Sequence, residues 1–573
     1  MIPINRTYAP LQAFVEELGR CGVRRAVTCP GSRNAPLILA LTGQDGIECT
    51  SVIDERSAGF VALGMAKASG RPVAITCTSG TAAANLHPAV AEAFEARVPL
   101  LVLTADRPPE LRDVGAGQAI DQLELYGSHA KWFVEVGNHE PGRQTAVHFR
   151  QLACRAYWTA DGGRPGPVHL NFPLREPLAP VSEPLEEEEW AGREGGRPWV
   201  DLREHSSAPH AGDIQDLADR AAAAPRGAIV CGPSGEELAA PVTRLAAQAG
   251  WPVLAEPGSG LRCGPHDRSH VVAHYDLLLR AERFAQDHSP QLVLRLGDTP
   301  TSAPLRAWLA AVPQVVVDPQ GSWHDPTRAA AAVLASAAAP TADALATALE
   351  MRAPAANPDW LGSWRRADQL VPDALAAAPD PFEPKTLAAL EAVLPDDAQL
   401  WLSSSMPVRD VEAFFPTSAK RLRFLANRGA NGIDGVVSSA AGAALASGRR
   451  TYLLTGELAL LHDLGGLLTA ARAGVELTIV CLNNGGGGIF DFLPVAEHSA
   501  RDAYERHIAT PSGVELSRVA DLAGIAHRQA ATPDEVRAAA REPGLVEVKT
   551  DRPRNVALHR EVTQAVTSAL DAP

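Results

Sequence analysis

The stretch Thr451–Phe492 constrains the fold of this chain more than any other. It contains two apolar runs, Tyr452–Leu454 and Leu477–Leu482, each of a length typical of a buried strand, and an amphipathic helix of roughly Asp463–Ala473 between them. We interpret it as a βαβ unit with two parallel strands. The carboxyl ends of such strands lie side by side, where open α/β sheets bind ligands. The stretch therefore predicts an α/β fold with a binding site after the two strands.

The residues that follow these strands offer oxygen ligands and bare backbone. Gly456-Glu457 ends the first strand, and Asn483-Asn484 with four glycines ends the second. A carboxylate and an amide oxygen suit Mg²⁺, which prefers oxygen ligands and keeps waters and phosphate oxygens in its shell. Glycine lets backbone approach a phosphate closely. We predict a metal and diphosphate site here, and the alternative is a plain βαβ unit with a glycine-rich turn.

This pattern resembles the thiamine-diphosphate (ThDP) motif, in which Gly-Asp-Gly is followed at a set distance by Asn-Asn. Here Gly456-Glu457-Leu458 leads to Asn483-Asn484, and both the spacing and the flanking strands fit. Glu457 departs from the motif, because the usual residue at its position is Asp.

Composition narrows the class of protein. The chain has 573 residues, enough for three or four domains, and 46% of them are hydrophobic, as in globular proteins. Its net charge of −15, without a Lys/Arg-rich block, argues against nucleic-acid binding. None of the eight cysteines forms a CxxC pair, so we expect buried thiols in a reducing compartment. No apolar leader or membrane-length apolar run is present, and we predict a cytoplasmic protein.

Apolar runs and proline-rich segments divide the chain into three expected α/β domains: residues 1–180, a central domain at 198–355, and residues 385–573. The proline-rich segments 176–197 and 354–384 are expected to be linkers. Pro72–Arg107 repeats the strand–helix–strand order of the opening stretch, which indicates a duplicated scaffold. The other predicted strands are Ala26–Cys29, Ser51–Ile53, Val73–Cys77, Leu100–Thr104, Val168–Asn171, Ala228–Cys231, Pro252–Ala255, Leu292–Leu296, Val315–Val317, Leu400–Ser403 and Leu545–Val548.

Charged residues at predicted strand ends are the candidate functional groups. Asp54-Glu55-Arg56 follows a strand and opens the predicted helix Ser57–Ala68. Acidic residues are common at helix starts for electrostatic reasons alone, so a structural role is the alternative. Arginines follow strands in an otherwise acidic chain, where each can hold a carboxylate bidentately. They are Arg33, Arg107, Arg409 and Arg428.

Seven motifs taken together closely resemble the MenD family of ThDP-dependent synthases. They are PGSRNAPL, DERSAGFVALGMAK, TSGTAAANLHPAV, TADRPPELRDVGAGQAIDQ, SMPVRD, NRGANGIDG and NNGGGGIFDFLP. The resemblance runs in order through all three domains and implies a pyrimidine-binding, a central and a diphosphate-binding domain. It implies a homodimer or dimer of dimers, with each site built between one chain's first domain and another's third. The implied transferase decarboxylates 2-oxoglutarate and adds the resulting succinyl carbanion to isochorismate in menaquinone biosynthesis.

The resemblance also implies roles for individual residues. Glu55 is the catalytic acid that meets N1′ of the aminopyrimidine, and Ile433 is the apolar prop that bends the cofactor. Glu457, Asn484 and the Gly486 carbonyl hold Mg²⁺, with Mn²⁺ also possible. Ser405, Gly456, Leu458 and Asn484 lie along the cofactor. The substrates meet Ser32, Arg33, Arg107, Gln118, Arg409 and Arg428, in a pocket walled by Ile489, Phe490 and Leu493.

Several positions depart from the family pattern. Besides Glu457, these are Ala303 for a usual Lys, Gly117 for Asn, Gly485 for a third Asn and His87 for Tyr. Two alternatives to the synthase stay open. A different ThDP-dependent 2-oxoacid decarboxylase or carboligase has substrates with fewer carboxylates, so the arginines argue against it. A catalytically degenerate ThDP-fold protein draws its support from Glu457 and Ala303.

Overall fold

The computed structural model describes residues 5–202, 207–352 and 357–572, which contain three six-stranded parallel sheets flanked by helices. The predicted α/β fold is therefore confirmed. The strands are β1 (Arg25–Thr28), β2 (Glu48–Ser51), β3 (Val73–Cys77), β4 (Leu100–Asp106), β5 (Trp132–Glu135), β6 (Pro167–Pro173), β7 (Gly227–Cys231), β8 (Val253–Ala255), β9 (Val271–Val272), β10 (Leu292–Leu296), β11 (Gln314–Val317), β12 (Ala330–Leu334), β13 (Gln399–Leu402), β14 (Arg423–Ala426), β15 (Thr451–Gly456), β16 (Leu477–Asn483), β17 (His527–Ala530) and β18 (Gly544–Lys549).

The α-helices of the described residues fall mainly between these strands, as expected for parallel sheets. They are α1 (Tyr8–Cys21), α2 (Ala35–Thr42), α3 (Glu55–Ser69), α4 (Thr81–Asn85), α5 (His87–Glu95), α6 (Arg143–Asp161), α7 (Ala211–Ala222), α8 (Ala239–Ala249), α9 (Tyr275–Leu278), α10 (Glu282–Asp287), α11 (Ala303–Leu309), α12 (Ala338–Glu350), α13 (Pro358–Asp368), α14 (Leu370–Ala377), α15 (Lys385–Val393), α16 (Met406–Phe414), α17 (Val436–Ser447), α18 (Glu457–His462), α19 (Leu464–Arg472), α20 (Pro494–His498), α21 (Arg501–Tyr504), α22 (Leu516–Ala523), α23 (Pro533–Ala539) and α24 (Arg552–Asp571).

The first and third sheets have the same strand order. The first sheet runs β2-β1-β3-β4-β6-β5 and the third runs β14-β13-β15-β16-β18-β17, whereas the central sheet runs β12-β11-β10-β7-β8-β9. The predicted duplication is thus confirmed, and β15 and β16 are neighbours as the sequence indicated. In both repeats the strand order reverses between the second and third strands across the sheet. Ligands bind at such a reversal, beyond the carboxyl ends of the strands.

The described chain forms two compact units. The first unit comprises Met1–Glu204, Asn427–Gly448 and Ala459–Leu477, and the second comprises the rest. Within the first unit, α3 packs closely on α17. A Cβ atom on Gly64 would lie 2.0 Å from the carbonyl oxygen of Ser439, and one on Gly442 would lie 2.1 Å from that of Val61. The two helices therefore touch backbone to backbone through a pair of glycines.

Some predicted elements differ from the structure. The second strand, predicted at Ser51–Ile53, lies at Glu48–Ser51, because the chain bends at Ile53-Asp54 and leaves the Ile53 side chain 67% exposed. Two helices, α13 and α14, occupy most of the segment 354–384 that was expected to be a linker. Trp360 and Trp364 of α13 are buried in the apolar core of the second unit, which explains why this proline-rich segment is helical.

The cysteines behave as predicted, since all eight are free thiols and only Cys49 is partly exposed. In the described ranges, no helix is both long and apolar enough to cross a membrane.

Candidate functional site

Glu55 is the first residue of α3, just beyond the end of β2. The preceding Asp54 caps the helix by accepting a hydrogen bond from the backbone N–H of Arg56 and another from the Ser57 hydroxyl. This cap leaves the half-buried Glu55 carboxylate uncommitted to the helix end. Burial raises the pKa of Cys29 at the end of β1, and the Glu55 charge raises it further, so the carboxylate lies close to the strand-order reversal.

Arg33 and Arg107 follow β1 and β4 of the same sheet. The Arg33 side chain is buried and donates from Nη1 to the Leu174 carbonyl at 2.8 Å, while its Nε is buried without a partner among the described residues. Burial and the nearby Arg107 charge lower the pKa of Arg33. Two guanidinium groups that repel each other, one with an unused donor, form a site suited to an anion.

The loop that contains Gln118 closes over the ends of β3 and β4. Arg107 Nε donates to the Gly117 carbonyl at 3.0 Å, and the Ser79 hydroxyl donates to the Gln118 carbonyl at 2.7 Å. Gln118 has a φ of 56°, and its side chain is exposed. Ser32, beside Arg33, is also exposed. The structure thus brings four predicted substrate residues to one edge of the first sheet.

Arg428 and Ile433 lie on a loop that belongs to the first unit, although they come late in the chain. Glu92 of α5, which is 3% exposed, accepts hydrogen bonds from the backbone N–H groups of Gly429 and Ala430 at 2.8 and 2.6 Å. This buried carboxylate fixes the loop next to Arg428. Arg428 and Ile433 are both half-buried, so each side chain keeps a surface that a ligand can contact.

Ser405 connects β13 to α16 and has a φ of 75°, in the positive range that glycine favours. A non-glycine residue there costs roughly 1–3 kcal/mol, and such residues cluster at ligand sites. One turn later Arg409 donates to the Ser405 carbonyl at 2.7 Å and remains exposed. Partial burial and the charge of Arg306 lower the pKa of Arg409. Ala303, which stands for the usual lysine, begins α11, and Arg306 lies one turn along that helix.

Glu457 directly follows β15, and its side chain is 3% exposed. Its Oε1 accepts a hydrogen bond of 2.5 Å from the backbone N–H of Gly486, at the end of β16. Burial raises the pKa of Glu457 to about 7, and the charge of Glu383 adds to the effect although backbone N–H donors oppose it. In such surroundings a nearby cation strongly stabilises the charged form of the carboxylate.

Asn484 lies beside Glu457, and its Nδ2 donates to Glu383 Oε1 at 3.0 Å. The Asn484 Oδ1 is buried and has no partner among the described residues. Gly486 has a φ of 143°, and a Cβ there would lie 2.6 Å from the Ala509 carbonyl, so only glycine fits. A buried carboxylate, an unpartnered amide oxygen and a glycine carbonyl match the oxygen ligands of a hard divalent cation. The predicted metal ligands therefore fit the metal.

The remaining predicted residues follow this loop. Ile489 is half-buried, whereas Phe490 and Leu493 are 36% and 45% exposed. Exposed apolar side chains that lie together are typical of ligand-binding surfaces. Arg552 holds the segment by ion pairs to Asp491 at 2.9 Å and to Glu505 at 2.7 Å. Gly456 and Leu458, on either side of Glu457, are half-buried.

The buried face of α16 carries an unusual acid, Glu412. It accepts a hydrogen bond from the Tyr275 hydroxyl at 2.7 Å, and Arg262 Nη1 donates to its backbone carbonyl at 2.9 Å. Burial, with the charges of Glu256 and Asp276, raises the pKa of Glu412 to about 8. The folded protein therefore holds a proton here that the unfolded chain releases near its ordinary pKa of 4.5.

We expect the Glu412 carboxyl to make stability fall as the pH rises from about 4.5 to about 8. Its contribution is fully present below the unfolded pKa and is lost through the folded pKa, by up to about 1.4 kcal/mol per pH unit. The melting temperature of Glu412→Gln, measured from pH 5.5 to 8.5, should therefore rise relative to the wild type as pH increases. The exposed Glu282→Gln serves as the control. A constant difference for Glu412→Gln would refute the protonated carboxyl.

Two buried carboxylates that accept hydrogen bonds from the site loops were not predicted from the sequence, namely Glu92 and Glu383. Neither acid stands out in the sequence, because Glu95 lies three residues after Glu92 and Asp380 lies three residues before Glu383. The predicted site residues themselves form two groups, one in each compact unit. Glu55, Ser32, Arg33, Arg107, Gln118, Arg428 and Ile433 belong to the first, and Ser405, Arg409, Gly456, Glu457, Leu458, Asn484, Gly486, Ile489, Phe490 and Leu493 to the second.

Comparison with protein families places three domain models along the chain. Residues 11–125 match the N-terminal TPP binding domain of thiamine pyrophosphate enzymes, residues 184–402 the middle domain, and residues 409–553 the C-terminal TPP binding domain.

Curated relatives match over almost the whole length. A 2-succinyl-5-enolpyruvyl-6-hydroxy-3-cyclohexene-1-carboxylate synthase of Myxococcus xanthus is 44% identical, over 98% of this chain and 97% of its own. Proteins of the same name from Geobacillus thermodenitrificans and Natronomonas pharaonis are 42% and 40% identical. These two comparisons cover 97% and 98% of this chain and 96% and 98% of the relatives.

Proposed function

This chain belongs to the family of 2-succinyl-5-enolpyruvyl-6-hydroxy-3-cyclohexene-1-carboxylate synthases, ThDP-dependent transferases of menaquinone biosynthesis, and we propose its substrates, metal and site residues as follows. The substrates are 2-oxoglutarate, which is decarboxylated, and isochorismate, to which the remaining four-carbon unit is added. Mg²⁺ is the metal, and Mn²⁺ can replace it.

The pairing of Arg33 with Arg107 carries the substrate assignment. A carboxylate bound between them would offset their mutual repulsion and would accept a hydrogen bond from the unused Arg33 Nε. Both proposed substrates are dicarboxylates, and Arg409 and Arg428 supply further cations. A carboligase for a monocarboxylate needs fewer such groups, so this observation favours the synthase over that alternative.

The cofactor and metal assignments rest on the loop after β16. Glu457, Asn484 and the Gly486 carbonyl would hold the metal, which would supply positive charge for the diphosphate, and Ser405, Gly456 and Leu458 would flank the cofactor. Bound ThDP supplies the carbon nucleophile and electron sink that decarboxylation and carbon–carbon bond formation require. Glu55 would hold and return a proton at the aminopyrimidine N1′, and the apolar Ile433 would pack against the cofactor. The apolar Ile489, Phe490 and Leu493 would exclude water from the reacting atoms.

The active assembly is proposed to be a homodimer or a dimer of dimers, in which Glu55 of one chain and the partner's Glu457 serve one cofactor. The family resemblance is the support for this assignment. Sedimentation of the active protein measures the assembly, and full activity from a monomer would contradict the shared site.

One assay tests the function as a whole. Purified protein with ThDP and Mg²⁺ receives 2-oxoglutarate and isochorismate, and both CO₂ and the adduct are quantified. The synthase gives both products in equal amounts. CO₂ release that ignores isochorismate would favour another 2-oxoacid decarboxylase, and cofactor binding without either product would favour a degenerate relative.

We expect removal of a substrate arginine to weaken the reaction by about ten- to a hundredfold. A charge-assisted contact of this type is worth roughly 1.5–3 kcal/mol. Arg409→Ala and Arg428→Ala should each raise the KM for at least one substrate or lower kcat/KM, measured with each substrate varied in turn. Arg421→Ala, which breaks an exposed ion pair to Asp396, is the control. If neither active-site variant changes the kinetics, the substrates bind elsewhere.

Shortening the unusual metal ligand should strengthen metal binding. Mg²⁺ tolerates misplaced ligands poorly, and Glu carries one methylene more than the usual Asp. We expect Glu457→Asp to lower the Mg²⁺ concentration for half-maximal activity by roughly threefold to tenfold and to reduce the relative preference for Mn²⁺. Titration of activity with each metal measures both effects. A variant that needs more Mg²⁺, or that loses ThDP, would mean that the loop is built around Glu457.

A further inference from the structure

Glu383 lies two residues before α15 and far from Asn484 in sequence, yet it is 1% exposed and contacts Asn484 directly. Its Oε1 accepts two hydrogen bonds, one from Asn484 Nδ2 at 3.0 Å and one from the Thr550 hydroxyl at 2.8 Å. Neither the sequence motifs nor the proposed ligand set includes this carboxylate.

The chemistry of the contact selects one orientation of the Asn484 amide. A carboxylate oxygen accepts hydrogen bonds and does not donate them, so the amide must turn its NH₂ group toward Glu383. Its oxygen then points the other way, and this Oδ1 is the buried atom without a partner among the described residues. A neutral hydroxyl or amide at position 383 would accept either orientation, because such groups both donate and accept.

Stability does not account for this arrangement. The Glu383 Oε2 is buried and has no partner in the described ranges. A buried carboxylate that is only half-satisfied is a cost to folding. Its benefit must come from what it orders, as with the groups that orient metal-ligating side chains from behind.

The surroundings hold Glu383 in place. The neighbouring Phe382 ring packs edge-on against His559, with ring centroids 4.9 Å apart. His559 Nδ1 donates to the Asn555 carbonyl at 2.8 Å, and its Nε2 lies 3.1 Å from Asp410 Oδ1. Burial opposes the imidazolium, but Asp410 outweighs it and raises the pKa of His559. The segment that carries Glu383 is therefore anchored on a buried ion pair.

We propose that Glu383 is a positioning residue that locks the amide of Asn484 with its oxygen toward the divalent cation. The inference rests on the proposed function, since the cation is part of it. Glu383 does not contact the metal. It acts only by preventing the Asn484 amide from rotating its NH₂ group toward the cation.

The test pairs two isosteric substitutions, Glu383→Gln and Asn484→Asp, alone and combined. Mn²⁺ binding in the presence of ThDP is measured from the electron paramagnetic resonance signal of the free ion, so no turnover is needed. Glu383→Gln lets the Asn484 amide rotate and should weaken Mn²⁺ binding by about ten- to a hundredfold. In the Asn484→Asp background, two carboxylates face each other and repel. There the same Glu383→Gln change introduces an amide that donates a hydrogen bond to the new Asp, and it should strengthen Mn²⁺ binding.

That reversal of sign separates positioning from a structural role, which would weaken binding in both backgrounds. Thr550→Val removes the other hydrogen bond to Glu383 without altering the orientation of the amide, and it should change Mn²⁺ binding by no more than about threefold. Equal Mn²⁺ binding by wild type and Glu383→Gln, or weakening in both backgrounds, would overturn the proposal. If the wild type itself binds no Mn²⁺ with ThDP, the proposed metal function fails instead, and this inference fails with it.

Discussion

Glu55→Gln is expected to abolish turnover while leaving cofactor binding largely intact. Gln has the size of Glu but cannot share a proton with a ring nitrogen, so the cofactor would not reach its reactive form. Loss of general acid–base catalysis costs roughly a hundred- to ten-thousandfold in rate. Asp54 would still cap α3 through the Arg56 N–H and the Ser57 hydroxyl, so the fold should survive.

The measurement for Glu55 combines steady-state turnover with the rate of proton exchange at the thiazolium C2 of added ThDP. Both should fall together, and the binding constant for ThDP with Mg²⁺ should stay within a few-fold of wild type. Glu48→Gln, an exposed change on β2 of the same unit, provides the matched control. Near-wild-type turnover in Glu55→Gln would remove this residue from the mechanism.

Gly64→Ala is expected to destabilise the first unit strongly, against the usual trend for helices. Alanine inside a helix normally stabilises it by about 1 kcal/mol relative to glycine. Here the new methyl would lie 2.0 Å from the Ser439 carbonyl oxygen, so α3 and α17 would have to separate. Forcing a group into such a packed contact costs typically about 1–3 kcal/mol and sometimes more.

Thermal unfolding of Gly64→Ala and of the reciprocal Gly442→Ala measures the effect. Gly19→Ala in α1 is the control, because its methyl would find no atom closer than 3.8 Å and should be neutral or slightly stabilising. The double variant should lose less than the sum of the two single losses, since the first methyl already separates the helices. Equal melting temperatures for Gly64→Ala and Gly19→Ala would contradict the close contact.

The strands that the sequence predicts lie mostly in the interiors of the sheets, where both faces are covered by protein. Five strands were not predicted: β5, β9, β12, β14 and β17. Each of them is an edge strand and pairs with one neighbouring strand only. An edge strand is covered on fewer sides and needs no continuous apolar run, as the sequence of β17, His527–Ala530, illustrates.

The candidate site divides in the same way. Glu457 and Asn484 were predicted because a strand end and a glycine run mark them locally. Glu383 and Glu92 act through contacts with residues distant in sequence, and no local pattern specifies which distant backbone or amide a carboxylate will meet. The proline-rich segment before Glu383 misled for a related reason, since Pro358 occupies the first turn of α13, where proline is well tolerated.

The contact between α3 and α17 has a consequence during protein synthesis. The N-terminal part of the first unit ends at Glu204, and the segment that packs on it begins at Asn427. At about 5–20 residues per second, the emerging chain waits roughly ten to fifty seconds before α17 leaves the ribosome. During that interval the face of α3 that carries Gly64 lacks α17, its partner within the chain. The first unit therefore cannot complete its fold until the middle of the message, which encodes the segment between Glu204 and Asn427, has been translated.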